Sequence, residues 1–209
     1  MNLEVNTIKD KVSKPRGRPV AFDQAQALDN ALHVFWLHGY EGTSMSELVE
    51  VLGINKPSIY AAFGNKEALF QKALDKYMSG SIEFINKALI EPTAKLVAEK
   101  FLIGAVAFFS DKSHPPGCMI VQGALSCGQS TELIQSELIS LRLKLEESIK
   151  KRFDLAIAQG DLPQATNSAC LAKYITTLHQ GLSVQATSGA SEAELLAVVQ
   201  FALDSFPTS

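Results

Sequence analysis

Cysteine is scarce: only three occur in 209 residues, at positions 118, 127 and 170. That excludes a disulfide scaffold, and the odd count without a secretory leader leads us to expect a reducing cytoplasm. Long apolar runs are missing as well. The most apolar stretch, 101–109, is nine residues long, whereas a membrane-spanning helix needs ~20. No membrane partner is expected. Met1 to Lys14 has no apolar segment and reads as a polar tail. Nor is there a surplus of positive charge. Nineteen Lys/Arg against 22 Asp/Glu give a formal net charge of -3, which is not the balance of a nonspecific polyanion binder. Disorder and collagen-like repeats are excluded by 46% hydrophobic and 20% charged residues, an ordinary globular mixture.

Strand signals are absent too. No period-two alternation is sustained, and no Asn-Gly or Asp-Gly hairpin joins β-branched runs. Helix signals recur instead. Asp23 with Gln26, Ser44 with Glu47, and Ser191 with Glu194 have capping-box spacing, and Gly39, Gly53 and Gly160 read as helix stops. The pattern predicts an all-α protein with helices near 24–38, 45–52, 56–62, 66–79, 82–90, 93–110, 118–127, 131–159, 167–187 and 192–204. Ser110 to Gly117, with two prolines and a glycine, is the one strong internal loop. Short helices give way to long ones near residue 66. The expected organisation is an arm at 1–22, a three-helix unit at 23–66 and a larger helical unit at 67–209.

Three features of the first part point to duplex DNA. Ser44 caps a short helix whose apolar residues Met45, Leu48, Val49 and Leu52 share one face. Gly53 turns the chain, Ile54 plugs the corner, and Asn55 caps a second short helix carrying Pro57 in its first turn. Ile59 and Phe63 then face inward, leaving Lys56, Ser58 and Tyr60 exposed, an arrangement that reads a DNA groove and equally suits a plain helical hairpin. Upstream, Lys14-Pro-Arg-Gly-Arg-Pro19 is slim enough for the ~6 Å minor groove, with Arg16 and Arg18 as the contacts. Without DNA the same arm is a solvated tail. Lys66, behind the cap Asn65, would seat a phosphate, or else is a solvated lysine.

These residues carry a resemblance. The segment GRPVAFDQAQALDNALHVFWLHGYEGTSMSELVEVLGINKPSIYAAFGNKEALFQKAL, roughly a quarter of the chain, closely resembles the DNA-binding region of TetR-type transcriptional regulators. The matching motifs are Phe35 to Gly39-Tyr40, Thr43-Ser44, Gly53-Ile54, Tyr60 to Phe63, and Lys66-Glu67-Ala68-Leu69. The resemblance implies a homodimeric repressor, released from a palindromic operator by a small molecule bound in the C-terminal part. It assigns Thr43, Ser44, Lys56, Pro57, Ser58, Tyr60 and Lys66 to DNA contact. Lys56-Pro57-Ser58 departs from the glycine or threonine of many relatives, so no operator sequence is implied.

The C-terminal part offers two apolar stripes, Leu171, Tyr174, Ile175, Leu178, Leu182 and Leu195, Leu196, Val199, Ala202, Leu203. They suit a four-helix dimer interface, or packing within the subunit. The helix around 101–109 is apolar nearly all round and hence central, with Gly104 implying a close approach. Phe101, Gly104, Phe108, Cys118, Gln122 and His179 are the candidate effector-pocket residues. Cys118 follows Pro-Pro-Gly at an expected helix start, a place that lowers a thiol pKa and would suit an oxidant, an electrophile or, with His114, a soft metal. A buried inert cysteine is the plainer alternative. No cofactor or bound metal is expected. An all-α enzyme is disfavoured because the chain has no Gly-rich phosphate loop, His-Glu-x-x-His or Gly-x-Ser-x-Gly. A helical interaction module remains the third class.

Overall fold

The structure is a computed structural model that describes residues 22–80, 83–125 and 132–208. Among the described residues there are ten helices and no strand. They are α1 (Gln24–Gly42), α2 (Met45–Leu52), α3 (Lys56–Phe63), α4 (Lys66–Gly80), α5 (Glu83–Leu89), α6 (Ala94–Ser110), α7 (Met119–Leu125), α8 (Glu132–Ala158), α9 (Ser168–Thr187) and α10 (Glu192–Asp204). The fold is therefore all-α, and the helix ends fall within a few residues of the sequence reading.

Side-chain caps set most of these starts. Ser44 and Ser191 form reciprocal boxes with Glu47 and Glu194. Asp23 forms only half of one: its Oδ1 accepts from the Ala25 and Gln26 N–H groups, while the Gln26 amide donates to Asn30. Gly39 breaks the helical path as expected, with φ 68°, yet one more turn follows it before Thr43. Farther along the chain Asp161 accepts from the Ala94 N–H at 2.6 Å and, with Thr93, closes the start of α6.

One apolar core runs through the described residues. Helix α1 packs against α4, α7 and α2, and α3 packs against α2 and α4. Helix α6 is central, as its all-round apolarity predicts, packing against α5, α8, α9 and α10 and burying Val97, Phe101, Leu102, Val106 and Phe109. Gly104 is small for a local reason, since a Cβ there would lie 2.8 Å from Phe84 Cδ2.

The dimer-interface expectation needs correcting. Ile175, Leu182, Leu195, Val199, Ala202 and Leu203 are buried inside their own subunit, because α9 and α10 use that face to pack on α6 and on each other. Leu171, Leu178 and Leu196 are half-buried against the same core. Of the ten, only Tyr174 is exposed, at 41%. The exposed apolar face of this hairpin is Tyr174, Val184, Val198 and Phe201, the last 78% exposed.

Candidate nucleic-acid interface and core cavity

Helices α2 and α3 meet at Gly53, whose φ of 66° is the left-handed turn that only glycine adopts at little cost. Leu48, Leu52, Ile59 and Phe63 bury their shared face. Asn30 donates to the Val51 carbonyl at 3.3 Å, pinning α2 to α1. Asn55 accepts from the Ser58 N–H at 2.9 Å, and Pro57 stands in the first turn of α3, where its missing N–H is no loss. The result is a short helix with an unpartnered outer side. Lys56, Pro57 and Tyr60 are exposed there and Ser58 is half-buried. The Lys56 ammonium lies 5.8 Å from the Tyr60 ring centre, which lines both up along one edge.

Thr43 does not belong with them. It is 0% exposed and its hydroxyl donates to the Gly39 carbonyl at 2.7 Å, so it locks the α1–α2 turn and has no surface to offer DNA. Ser44 is exposed, but its hydroxyl already accepts from the Glu47 N–H at 3.1 Å. Lys66 is better placed. Its ammonium sits 4.3 Å above the Tyr40 ring centre, a cation–π contact that holds the charge at the start of α4. Partial burial draws the Lys66 pKa down, against the pull of Glu41 and Glu47. Tyr40 is itself braced edge-on by Phe70 at 5.3 Å. Sequence reasoning did not single out Tyr40 as a site residue, although the Gly39-Tyr40 step within the family motif was the available signal. Arg16 and Arg18 lie outside the described residues.

A cavity of about 210 Å³ opens in the C-terminal part, between α4, α5, α6, α8, α9 and the start of α7. Of the residues proposed from the sequence for an effector site, Phe108, Cys118 and His179 line it. Phe101, Gly104 and Gln122 do not. Phe101 is buried behind the wall, stacked on His179 at 5.1 Å. Gly104 is covered by Phe84, and Gln122 donates instead to Thr187 at 3.1 Å. Tyr77, Arg142, Thr176 and Gln180 are lining residues that the sequence did not reveal, because they come from three different helices and share no local pattern. His179 is enclosed by Phe101 and Phe109, and burial brings its pKa down to about 4. It is neutral at pH 7 and offers the cavity one donor and one acceptor.

At Cys118 burial opposes the helix-start effect. The thiol is buried, and burial pushes its pKa up despite the opposing Tyr77 hydroxyl, the N–H groups of Val121 and Ile120, and the Arg142 charge. The helix-start effect is present but smaller than the loss of water. The Tyr77 hydroxyl donates to Cys118 Sγ at 3.3 Å, and the Cys118 N–H donates to Ser183 at 2.8 Å. His114 stacks on Trp36 and lies tilted against Phe108, each ring centre 4.5 Å away, with Nδ1 2.9 Å from the Pro115 carbonyl oxygen. Among the described residues no three His, Cys, Asp or Glu side chains stand together as metal ligands. Cys170 is exposed at the start of α9, and Cys127 lies outside the described residues. No described helix is long and apolar enough to cross a membrane.

The comparisons with known proteins bear on both regions. The family model for bacterial regulatory proteins of the tetR family matches residues 27–73. The chain is 31% identical over 198 residues to the transcriptional repressor ComR of Escherichia coli K12, covering 94% of each protein. It is 29% identical to the repressor BdcR of the same organism, over 96% of this chain and 98% of that one. Among solved structures, a cysteine-substituted variant of the TetR family regulator CifR, complexed with 26-bp operator DNA, shares 38% identity and a TM-score of 0.85. That likeness covers 91% of this chain and all of that one. A TetR regulator of Rhodococcus sp. RHA1 shares 41% identity at a TM-score of 0.62 over 88% of this chain. Helix order, the α2–α3 unit and a 31% identity that extends over 94% of both chains agree, and the chain belongs to the TetR family of helix-turn-helix transcriptional regulators.

Proposed function

We propose that this protein is a homodimeric repressor that binds a palindromic operator and leaves it when a small molecule enters the core cavity. The observation that carries the reading is the outer side of α3, with Lys56, Ser58 and Tyr60 next to a lysine clamped on Tyr40. It is supported by the likeness to an operator-bound regulator. In this reading α3 enters the major groove, and Lys66 holds a phosphate. The arm at 1–22, with Arg16 and Arg18, follows the minor groove. Residues 23–66 act as the DNA-binding unit and 67–209 as the effector and dimer unit, although the apolar core continues between them. The work is done in the cytoplasm, where the operator is, and involves no catalytic step.

A helix of eight residues reads few base pairs, so two copies must act together. The α9–α10 outer face, Tyr174, Val198 and Phe201, is the apolar surface suited to join them. Half-sites about 34–36 Å apart then fall on one side of the duplex.

The link between cavity and operator is aromatic. Tyr77 and Phe108 line the cavity and touch Trp36 of α1, at 4.8 Å edge-on and 5.6 Å stacked. A ligand that fits only when these rings shift favours an α1 position in which the paired α3 helices no longer match the groove spacing. The test is a gel shift on the DNA flanking the gene, with size measurement in parallel. The wild-type protein is expected to be dimeric and to retard a palindromic fragment. Phe201→Glu is expected to be monomeric and to lose that retardation. A monomer that retards the fragment as tightly as the dimer refutes the reading.

A further inference from the structure

We propose that the cavity takes a compact apolar monoanion, an aromatic or short aliphatic carboxylate, and that Arg142 recognises its charge. Its regulatory consequence rests on the repressor reading above, while its chemistry rests on the cavity alone.

Size comes first. An apolar cavity of roughly 150 Å³ holds a benzene molecule, so about 210 Å³ holds a ring with two or three further heavy atoms. The walls are mainly apolar, from Phe84, Leu89, Phe108, Ile120, Val121 and Leu145. Charge decides the rest. Arg142 and Lys144 are cationic, and no described lining residue is acidic. Glu146, one turn along α8 from Arg142, is outside the lining; its carboxylate is held by the Lys173 ammonium at 2.6 Å and accepts from the hydroxyl of the lining residue Thr176 at 3.5 Å.

Arg142 is the unusual group. Its Nε is cut off from solvent and has no hydrogen-bond partner. Among the described residues no ion pair includes its guanidinium. Buried donors of this kind are nearly always paired, and a charged one most of all. A carboxylate entering the cavity supplies that partner and matches the planar fork of the guanidinium. His179 is neutral and adds a donor without a second buried charge to balance. A cationic ligand would face Arg142 and Lys144 with no carboxylate to offset them. A phosphate ester would bring two charges into a mostly apolar chamber.

The test uses the full-length protein and two matched pairs, benzoate with benzamide and hexanoate with hexanamide, plus benzylamine. Calorimetry measures binding, and a gel shift measures operator release. At least one acid is expected to bind roughly 10–100-fold more tightly than its amide, and Arg142→Met is expected to remove that preference. Arg142→Lys is expected to keep part of it, as a point charge without the fork. An amide or benzylamine that binds as tightly as the acids overturns the proposal. So does an acid preference untouched in a folded Arg142→Met protein, or the failure of every probe at millimolar concentration. If Arg142→Met does not fold, the acid–amide comparison on the wild type decides alone. Acids that bind with the expected preference but leave the operator complex intact uphold the cavity chemistry and refute the repressor reading. A neutral probe that releases DNA while no acid binds does the reverse.

Discussion

Replacing His179 by phenylalanine tests the burial argument directly. The imidazole is enclosed by Phe101 and Phe109, and its folded-state pKa of about 4 lies below its ordinary value of 6.5. The unfolded chain therefore takes up the proton first as pH falls. The stability this residue contributes is complete above pH 6.5 and is lost between there and pH 4. Each pKa unit corresponds to about 1.36 kcal/mol, so a gap of roughly 2.5 units removes about 2 kcal/mol by pH 5 and about 3 kcal/mol by pH 4. Denaturant unfolding followed by circular dichroism at pH 7, 6, 5 and 4.5 measures this, at one fixed protein concentration because the proposed dimerisation would add its own contribution. Carboxylates titrate in both proteins, so the readout is wild type minus His179→Phe. That difference is expected to move by about 2 kcal/mol against the wild type between pH 7 and pH 5. Parallel curves for the two proteins would mean that His179 is not protonated later than in the unfolded chain, and the reasoning fails.

Three further outcomes are expected. Lys66→Ala should weaken binding to every DNA sequence alike and reduce the salt slope by about 0.9, as loss of one phosphate contact requires; an unchanged slope in a gel shift series removes Lys66 from the interface. Thr43→Ala should lower stability by about 1–3 kcal/mol in urea unfolding, because the Gly39 carbonyl loses its buried donor. Its operator preference should stay that of the wild type, and a changed preference would return Thr43 to the DNA surface. Gly104→Ala should cost about 1–3 kcal/mol from the clash with Phe84, and a neutral result would show that the α5–α6 contact is loose.

Local chemistry explains what could be read in advance. The α2–α3 unit was legible because caps, a left-handed glycine and a short apolar repeat all act within a few residues of one another. Gly104 and the central place of α6 were legible for the same reason. The two faces of α9 and α10 were not. Ile175 and Leu182 differ little in type from Leu178 and Val184, and only packing on α6 decides which side faces inward. Cys118 shows a different limit. Its position after Pro-Pro-Gly predicted stabilisation of the thiolate, but Tyr77 and Ser183, which help enclose it, are 41 and 65 residues away in sequence. The cavity donors Arg142 and Gln180 come from separate long helices, so no spacing rule brings them together. Thr43 reads like a surface polar residue until its bond to Gly39 is seen.

Trp36, His114 and Phe108 form a cluster of three mutually touching rings between α1 and the cavity wall. Under the proposed function, whatever compound the chamber selects, Phe108 both fits it and touches Trp36 of α1, the helix beside the DNA-reading unit. Ligand preference and unliganded operator grip are thus written partly in the same residue. On that reading, a change at Phe108 that admits a bulkier compound is expected to reset the basal level of repression at the same time. Retuning this sensor for a new compound therefore calls for paired substitutions, one in the chamber and one at position 36 or 114 to restore the original stance.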